Sequence, residues 1–178
     1  AEVELQICTQ TARPEPGPWL AFAPLKKDRM HMVVEKATEL GVSCLLPVLT
    51  ANTVGGRVNR ERMVAQSIEA AEQCERLSLP EIAAPQTLDA LLAGWPQDRR
   101  LLVGDETGGG MPIAAALDRD VKNAAECGIL IGPEGGFQAA ELEQLKGLEF
   151  CTFMDLGPRI LRAETAAIVA LACLGALT

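Results

Sequence analysis

Three short loops rich in glycine and proline carry most of the chemical potential of this chain. They are Gly104-Asp-Glu-Thr-Gly-Gly-Gly110, Gly132-Pro-Glu-Gly-Gly136 and Leu156-Gly-Pro-Arg-Ile-Leu-Arg162. Each follows a short apolar run, and the last leads directly into an apolar, helix-forming stretch. Strand ends of this kind deliver backbone N–H groups to one edge of a sheet, and glycine lets a ligand approach that backbone closely. Exposed peptide groups on rigid loops suit an adenine edge and a ribose. A triphosphate would call for a lysine, and none of the three loops contains one. Any one loop alone reads equally well as a tight turn. Three together point to a shared crevice.

Other chemistries find little material. There is no G-x-x-x-x-G-K-[ST], no G-x-G-x-x-G opening a helix after the first strand, and no G-x-S-x-G. A single histidine, His31, leaves no partner for a nucleophilic triad, and no role is assigned to it. The six cysteines (8, 44, 74, 127, 151 and 173) form no C-x-x-C pair, so a zinc site is not expected. Their place inside apolar runs indicates buried, reduced thiols and a cytoplasmic protein.

With 178 residues, 48% hydrophobic and 22% charged, the chain has the length and composition of one well-buried domain. No apolar run approaches the roughly 20 residues that span a bilayer, and no signal peptide is visible. The net charge of −8 argues against a simple nucleic-acid binder. A local basic patch at Lys26, Lys27 and Arg29, or a further domain, would have to offset it.

The loops need a scaffold, and the apolar periodicity provides one. Strands are expected at Val3–Cys8, Trp19–Ala23, Ser43–Leu49, Arg100–Val103, Gly128–Ile131 and Phe150–Met154. Between them, Met30, Val33, Val34 and Ala37 repeat at helical spacing in a helix that begins near Asp28 and stops at Gly41. Asn59 caps a second helix running to about Leu77, with Val64, Ile68 and Ala71 on its apolar face. Further helices are expected at Leu88–Ala93, Pro112–Ala125, Gln138–Lys146 and Ala163–Leu177. Alternating strands and helices imply an α/β fold, a parallel sheet flanked by helices. The start without Met, almost at once in a strand-like run, reads as a fragment lacking a natural N-terminal part.

Four segments carry a family resemblance: Lys36-Ala-Thr-Glu-Leu-Gly-Val42, Glu69-Ala-Ala-Glu-Gln-Cys74 with Arg76, Leu130-Ile-Gly-Pro-Glu-Gly-Gly136, and Leu156-Gly-Pro-Arg-Ile-Leu-Arg-Ala-Glu-Thr165. In this order and spacing they resemble the ribosomal RNA small subunit methyltransferase E family, of the SPOUT class, over nearly the whole chain. The resemblance implies a SPOUT-type sheet with a C-terminal trefoil knot and a homodimer. It also implies transfer of a methyl group from S-adenosyl-L-methionine to N3 of a uridine in 16S ribosomal RNA. Residues 1–178 would be the methyltransferase domain, without the family's N-terminal PUA-like RNA-binding domain, and cofactor binding would persist while methylation is poor. Neither a membrane nor a metal is implied.

Residue roles follow from the same resemblance. Ile131, Gly132, Pro133, Glu134, Gly135 and Gly136 would form one cofactor loop. Leu156, Gly157, Ile160 and Leu161 would form a second, and Leu102, Val103 and Gly104 a third wall. Glu134 would either favour the sulfonium charge or accept loop N–H bonds. Arg162 and Arg76 are the candidate cations for an activated uridine or its phosphate, with Glu72 and Gln73 beside Arg76 to orient it. Glu75 departs from the small or neutral residue usual at its position. Thr165 would bond the substrate or cap the last helix. Lys27, Arg29 and Arg76 would hold RNA. The alternatives are another SPOUT RNA methyltransferase with a different target, and a non-catalytic RNA-binding protein of the same fold.

Overall fold

Short strands that are apolar on both faces need cover on both sides, and this chain supplies it. The computed structural model describes Ile7, residues 10–54 and residues 58–176. Its strands are β1 (Trp19–Phe22), β2 (Cys44–Leu49), β3 (Glu81–Ile82), β4 (Gln86–Thr87), β5 (Arg100–Gly104), β6 (Met111–Pro112), β7 (Cys127–Ile131) and β8 (Cys151–Asp155). The helices are α1 (Lys27–Glu39), α2 (Arg60–Gln73), α3 (Leu88–Ala93), α4 (Ile113–Asp120), α5 (Ala139–Lys146) and α6 (Ala163–Gly175). Every strand pairing is parallel, in the order β3-β2-β1-β7-β5-β8-β6, with β4 alongside β2. The strand expected at Val3–Cys8 lies outside the described residues apart from Ile7.

Alternation along the strands divides the core into two layers. Leu20, Leu45, Leu102 and Ile129 point to one face, where α1, α6 and parts of α2 and α4 cover them. Ala21, Leu46, Val103 and Leu130 point to the other, against α3, Trp95 and Leu145 of α5. Gly41, in the left-handed region at φ 78°, lets the chain leave α1 and turn into β2.

Several boundaries differ from expectation. Asn59 does cap α2, accepting the Arg62 N–H at 2.9 Å, but the helix stops at Gln73 rather than Leu77. Glu75, at φ 60°, is the one non-glycine residue with positive φ among those described, and it breaks the helical path. The expected buried face of α2 is also corrected. Val64 and Ile68 are 42% and 40% exposed, while Met63, Gln66, Ser67, Ala70 and Ala71 are buried. Ser67, Ala70 and Ala71 make most of this face small, and it is this face, not the one richest in Val and Ile, that packs on α1. The helix expected over Pro112–Ala125 breaks at Asp120, whose carboxylate accepts the Thr152 hydroxyl at 2.6 Å, and a short 3-10 turn follows at Ala124–Glu126.

The described cysteines are all free thiols. Cys44 and Cys127 are buried, whereas Cys74 is exposed, against expectation. Burial pushes the Cys44 thiol up to about 11 and the Cys151 thiol up to about 12, so neither is a ready nucleophile. Among the described residues, no helix is long and apolar enough to cross a membrane, and no His/Cys/Asp/Glu cluster could hold a metal ion.

Candidate cofactor cleft

The central strands create a topological switch. From β5 the chain runs out to β6 at the sheet edge, returns to β7 on the other side of β5, and then enters β8 between β5 and β6, so the C-terminal ends of β7, β5 and β8 stand side by side. In open parallel sheets this is where a crevice forms. Here it is a cleft of about 550 Å³, walled by the loops after those three strands. That volume lies within the roughly 300–1,000 Å³ common for small-molecule sites.

From the β7 loop, Ile131, Gly132, Pro133, Glu134 and Gly136 line the cleft, and from the β8 loop Leu156, Gly157, Ile160, Leu161 and Arg162 do so. Gly104 lines it at the end of β5. Leu102 and Val103 do not: they are 1% and 0% exposed and belong to the sheet core. Their place is taken by Asp105, Glu106, Thr107 and Gly108, which lie in the first of the three glycine-rich loops but carry no individual role in the sequence reading. Phe137, Asp155 and Ala166 are further wall residues not anticipated. Gly135 is exposed and faces Asn52 instead of the cleft. Thr165 is exposed on the first turn of α6, outside the lining, and the helix carries no side-chain cap.

Loop shape is fixed by local acceptors. The Asp105 carboxylate accepts the Thr107 N–H at 2.8 Å and its hydroxyl at 2.7 Å. The Asp155 carboxylate accepts the Gly157 N–H at 2.9 Å. On the β7 loop, the Asn52 amide donates to the carbonyls of Gly135 and Gly136, each at 3.0 Å.

Arg29 joins the cleft rather than standing apart on a basic surface. Its guanidinium pairs with Glu134 at 2.9 Å and with Glu164 at 3.5 Å, tying the β7 loop to the start of α6. Glu164 is buried, and its Oε2 has no hydrogen-bond partner in the described structure. Removing Arg29 would leave that carboxylate buried without its cation. Arg29→Ala is therefore expected to cost about 1–3 kcal/mol of stability, and Arg29→Ala combined with Glu164→Gln should recover part of it. Urea denaturation of the two single variants and the double variant measures the coupling; strict additivity would remove the pair from the account.

Arg76 does not line the cleft. Its side chain is only 6% exposed and donates to the Thr38 carbonyl at 2.8 Å and to Ser78 Oγ at 3.1 Å, with Glu15 at 3.3 Å. That geometry clamps the chain after α2 onto the C-terminal turn of α1. Arg76→Ala should destabilise the fold by about 1.5–3 kcal/mol, seen as a lower thermal midpoint. An unchanged midpoint with weakened RNA binding would return Arg76 to the RNA-binding role that the family resemblance implies. Lys27 lies away from the cleft and lines a second, smaller cavity. Among the described residues Arg162 has no side-chain partner, and Glu164 pairs with Arg29 instead.

Residues 14–175 match the RNA methyltransferase domain family. The ribosomal RNA small subunit methyltransferase E of Rickettsia conorii is 35% identical over 153 residues, 86% of this chain and 62% of that protein. Its Bacillus subtilis counterpart is 31% identical over 165 residues, 88% of this chain and 64% of that protein. The chain thus spans somewhat less than two thirds of the length of either relative. Among solved structures, a ribosomal RNA small subunit methyltransferase E from Neisseria gonorrhoeae bound to S-adenosyl methionine superposes with a TM-score of 0.78. It is 26% identical, and the superposition covers 91% of this chain and 67% of that one. Sheet order, cleft and sequence agree: this chain belongs to the RNA methyltransferase domain family.

Proposed function

We propose that this chain transfers the methyl group of S-adenosyl-L-methionine to N3 of a uridine in 16S ribosomal RNA. The observation that carries the reading is the lining of the cleft. Asp105, Glu106, Glu134 and Asp155 contribute carboxylates and no lysine lines it, while Arg162, exposed and unpaired among the described residues, completes the lining. Carboxylates suit a sulfonium cation and repel a triphosphate. S-adenosylmethionine, when bound, supplies an electrophilic methyl group. The β7 loop, with Phe137 behind it, and Leu156 and Leu161 would wall its adenosyl part, and Gly104 leaves room at the third side.

The rest of the task is alignment and charge. Methyl transfer is an in-line displacement, so the protein must hold nucleophile and methyl in register and exclude water. Uridine N3 is a poor nucleophile until its proton leaves, and the charge then spreads onto O2 and O4. Arg162 is placed to stabilise that charge. Lys27 is available to hold RNA phosphate, and Arg29 shapes the cleft while it is engaged with Glu134 and Glu164.

The same reading treats the chain as one SPOUT methyltransferase domain, cytoplasmic, knotted and homodimeric. The free thiols support the compartment. The end of the β5 loop lies tight against β8, where a Cβ on Gly110 would come within 2.7 Å of Met154, and such close threading suits a knot. The apolar helix α6 keeps Ile168, Val169 and Cys173 only half-buried, which suits a second copy.

Calorimetric titration with S-adenosylmethionine, followed by methyl transfer to isolated small ribosomal subunits and mapping of the modified base, tests the proposal. Micromolar cofactor binding and a methyl group at uridine N3 are expected. A folded chain that binds no cofactor would favour the non-catalytic RNA-binding alternative, and a methyl group on another position would favour a different RNA target.

A further inference from the structure

A second cavity, of about 210 Å³, lies between the β1–α1 connection and the N-terminal end of α2. Its rim carries Lys26, Lys27 and Arg62, all exposed and none in an ion pair among the described residues. In a chain of net charge −8, three unpaired cations around one cavity stand out from the surface. Asp28 and Glu61 adjoin them in sequence but do not line the cavity. Leu25 and Met63, both buried, and Met30 and Val58, both half-buried, give the floor most of its surface, beside the buried Gln66 whose amide is taken up by His31 Nδ1 at 2.6 Å. The positive end of the 14-residue helix α2 opens beside it, with the Asn59 side chain satisfying only the Arg62 N–H.

Cations over a mostly apolar floor fit a group with an anionic part and a flat, polarisable part. A nucleotide has both, and methionine sulfur packs well against aromatic faces. The cavity is smaller than the roughly 300–1,000 Å³ of sites that enclose a whole ligand, so it suits part of a longer chain. Its position names that chain. Arg29 lines the cofactor cleft and the next residue, Met30, lines this cavity, so the two flank the first turn of α1. An RNA strand with its target base in the cleft would pass directly over Lys26 and Lys27.

Resting on the function proposed above, we infer that this cavity seats a nucleotide neighbouring the methylated one. Lys26, Lys27 and Arg62 hold its phosphate, and Met30 and Val58 hold its base.

The test measures fluorescence anisotropy of a short, single-stranded, uridine-rich RNA across a salt series, with parallel calorimetry of S-adenosylmethionine. Lys26→Ala combined with Arg62→Ala should weaken RNA binding and flatten the log–log salt slope by about 1.4, as loss of two single-strand phosphate contacts requires. Val58→Trp, which fills the cavity without altering charge, should weaken RNA binding several-fold with the slope unchanged. Cofactor affinity should be the same in all forms. Unchanged RNA affinity and slope in both variants would overturn the inference. So would a charge effect with no effect of Val58→Trp, which would leave a surface patch without a seated base. Equal displacement of the RNA by polyglutamate would assign the cavity to acidic polymers in general and overturn it too, as would absence of RNA binding by the unmodified chain. Failure of the underlying function shows differently, as an unmodified chain that binds RNA but no cofactor.

Discussion

Replacing Arg162 with alanine is expected to lower methyl transfer about 100- to 1,000-fold while leaving S-adenosylmethionine affinity within a few-fold, the size typical of losing one charge-stabilising group. The expectation rests on what surrounds it. Four carboxylates line the cleft, and Arg29 is already engaged with Glu134 and Glu164. Arg159 and Arg162 are the remaining cations of the lining, and Arg162 immediately precedes α6, at its positive end. A uridine losing its N3 proton beside so much negative charge would be disfavoured without a cation facing it. Arg162→Lys should restore part of the rate, since it keeps the charge and loses the planar fork. Raising the pH should help Arg162→Ala more than the unmodified chain, because solution then takes over part of the deprotonation. A higher KM with unchanged kcat would instead make Arg162 a phosphate grip used equally in ground and transition states.

The scaffold was legible because its signals are local. Leu20, Phe22 and Ala21, like Leu102 and the flanking Leu101 and Val103, alternate between the two core layers, and runs of that kind read as strands in any context. The loops after β5, β7 and β8 were legible for a similar reason, since glycine and proline mark strand ends. What the sequence hid is long-range. Arg29, Glu134 and Glu164 share no spacing that predicts contact, yet they meet at the cleft. The resemblance implies Arg76 as an RNA-facing cation oriented by Glu72 and Gln73, and only the packing of α2 on α1 shows it bound instead to the Thr38 carbonyl and Ser78. The family resemblance implies Leu102 and Val103 as wall residues, whereas the pleat turns them into the core and leaves the wall to Gly104 and the residues after it. Strands of two residues, such as β3, β4 and β6, are too short to show any period.

Gly132→Val should reduce S-adenosylmethionine affinity about 10- to 100-fold, a loss of about 1.4–2.8 kcal/mol, and Gly135→Val should leave it within a few-fold. The two glycines sit in one loop and look equivalent in sequence. In the structure they face different ways. A Cβ on Gly132 would lie 2.9 Å from the Phe137 ring, tighter than ordinary contact, and both residues line the cleft. The ring is held from behind by the core layer that includes Leu130 and Leu145, so it has little freedom to retreat. The branched methyls of valine would then project into the space an adenosyl group needs, at a packing cost of about 1–3 kcal/mol. A Cβ on Gly135 meets Asn52 Cβ at 3.3 Å, outside the cleft lining, and requires only a small shift of a half-buried neighbour. Calorimetry of both variants, with thermal melts to show that each is folded, separates the wall of the cleft from the shape of its loop. Equal losses would mean that the anchor of the loop on Asn52, which holds the Gly135 and Gly136 carbonyls, governs binding. Full affinity in Gly132→Val would place the cofactor against the loops after β5 and β8 instead.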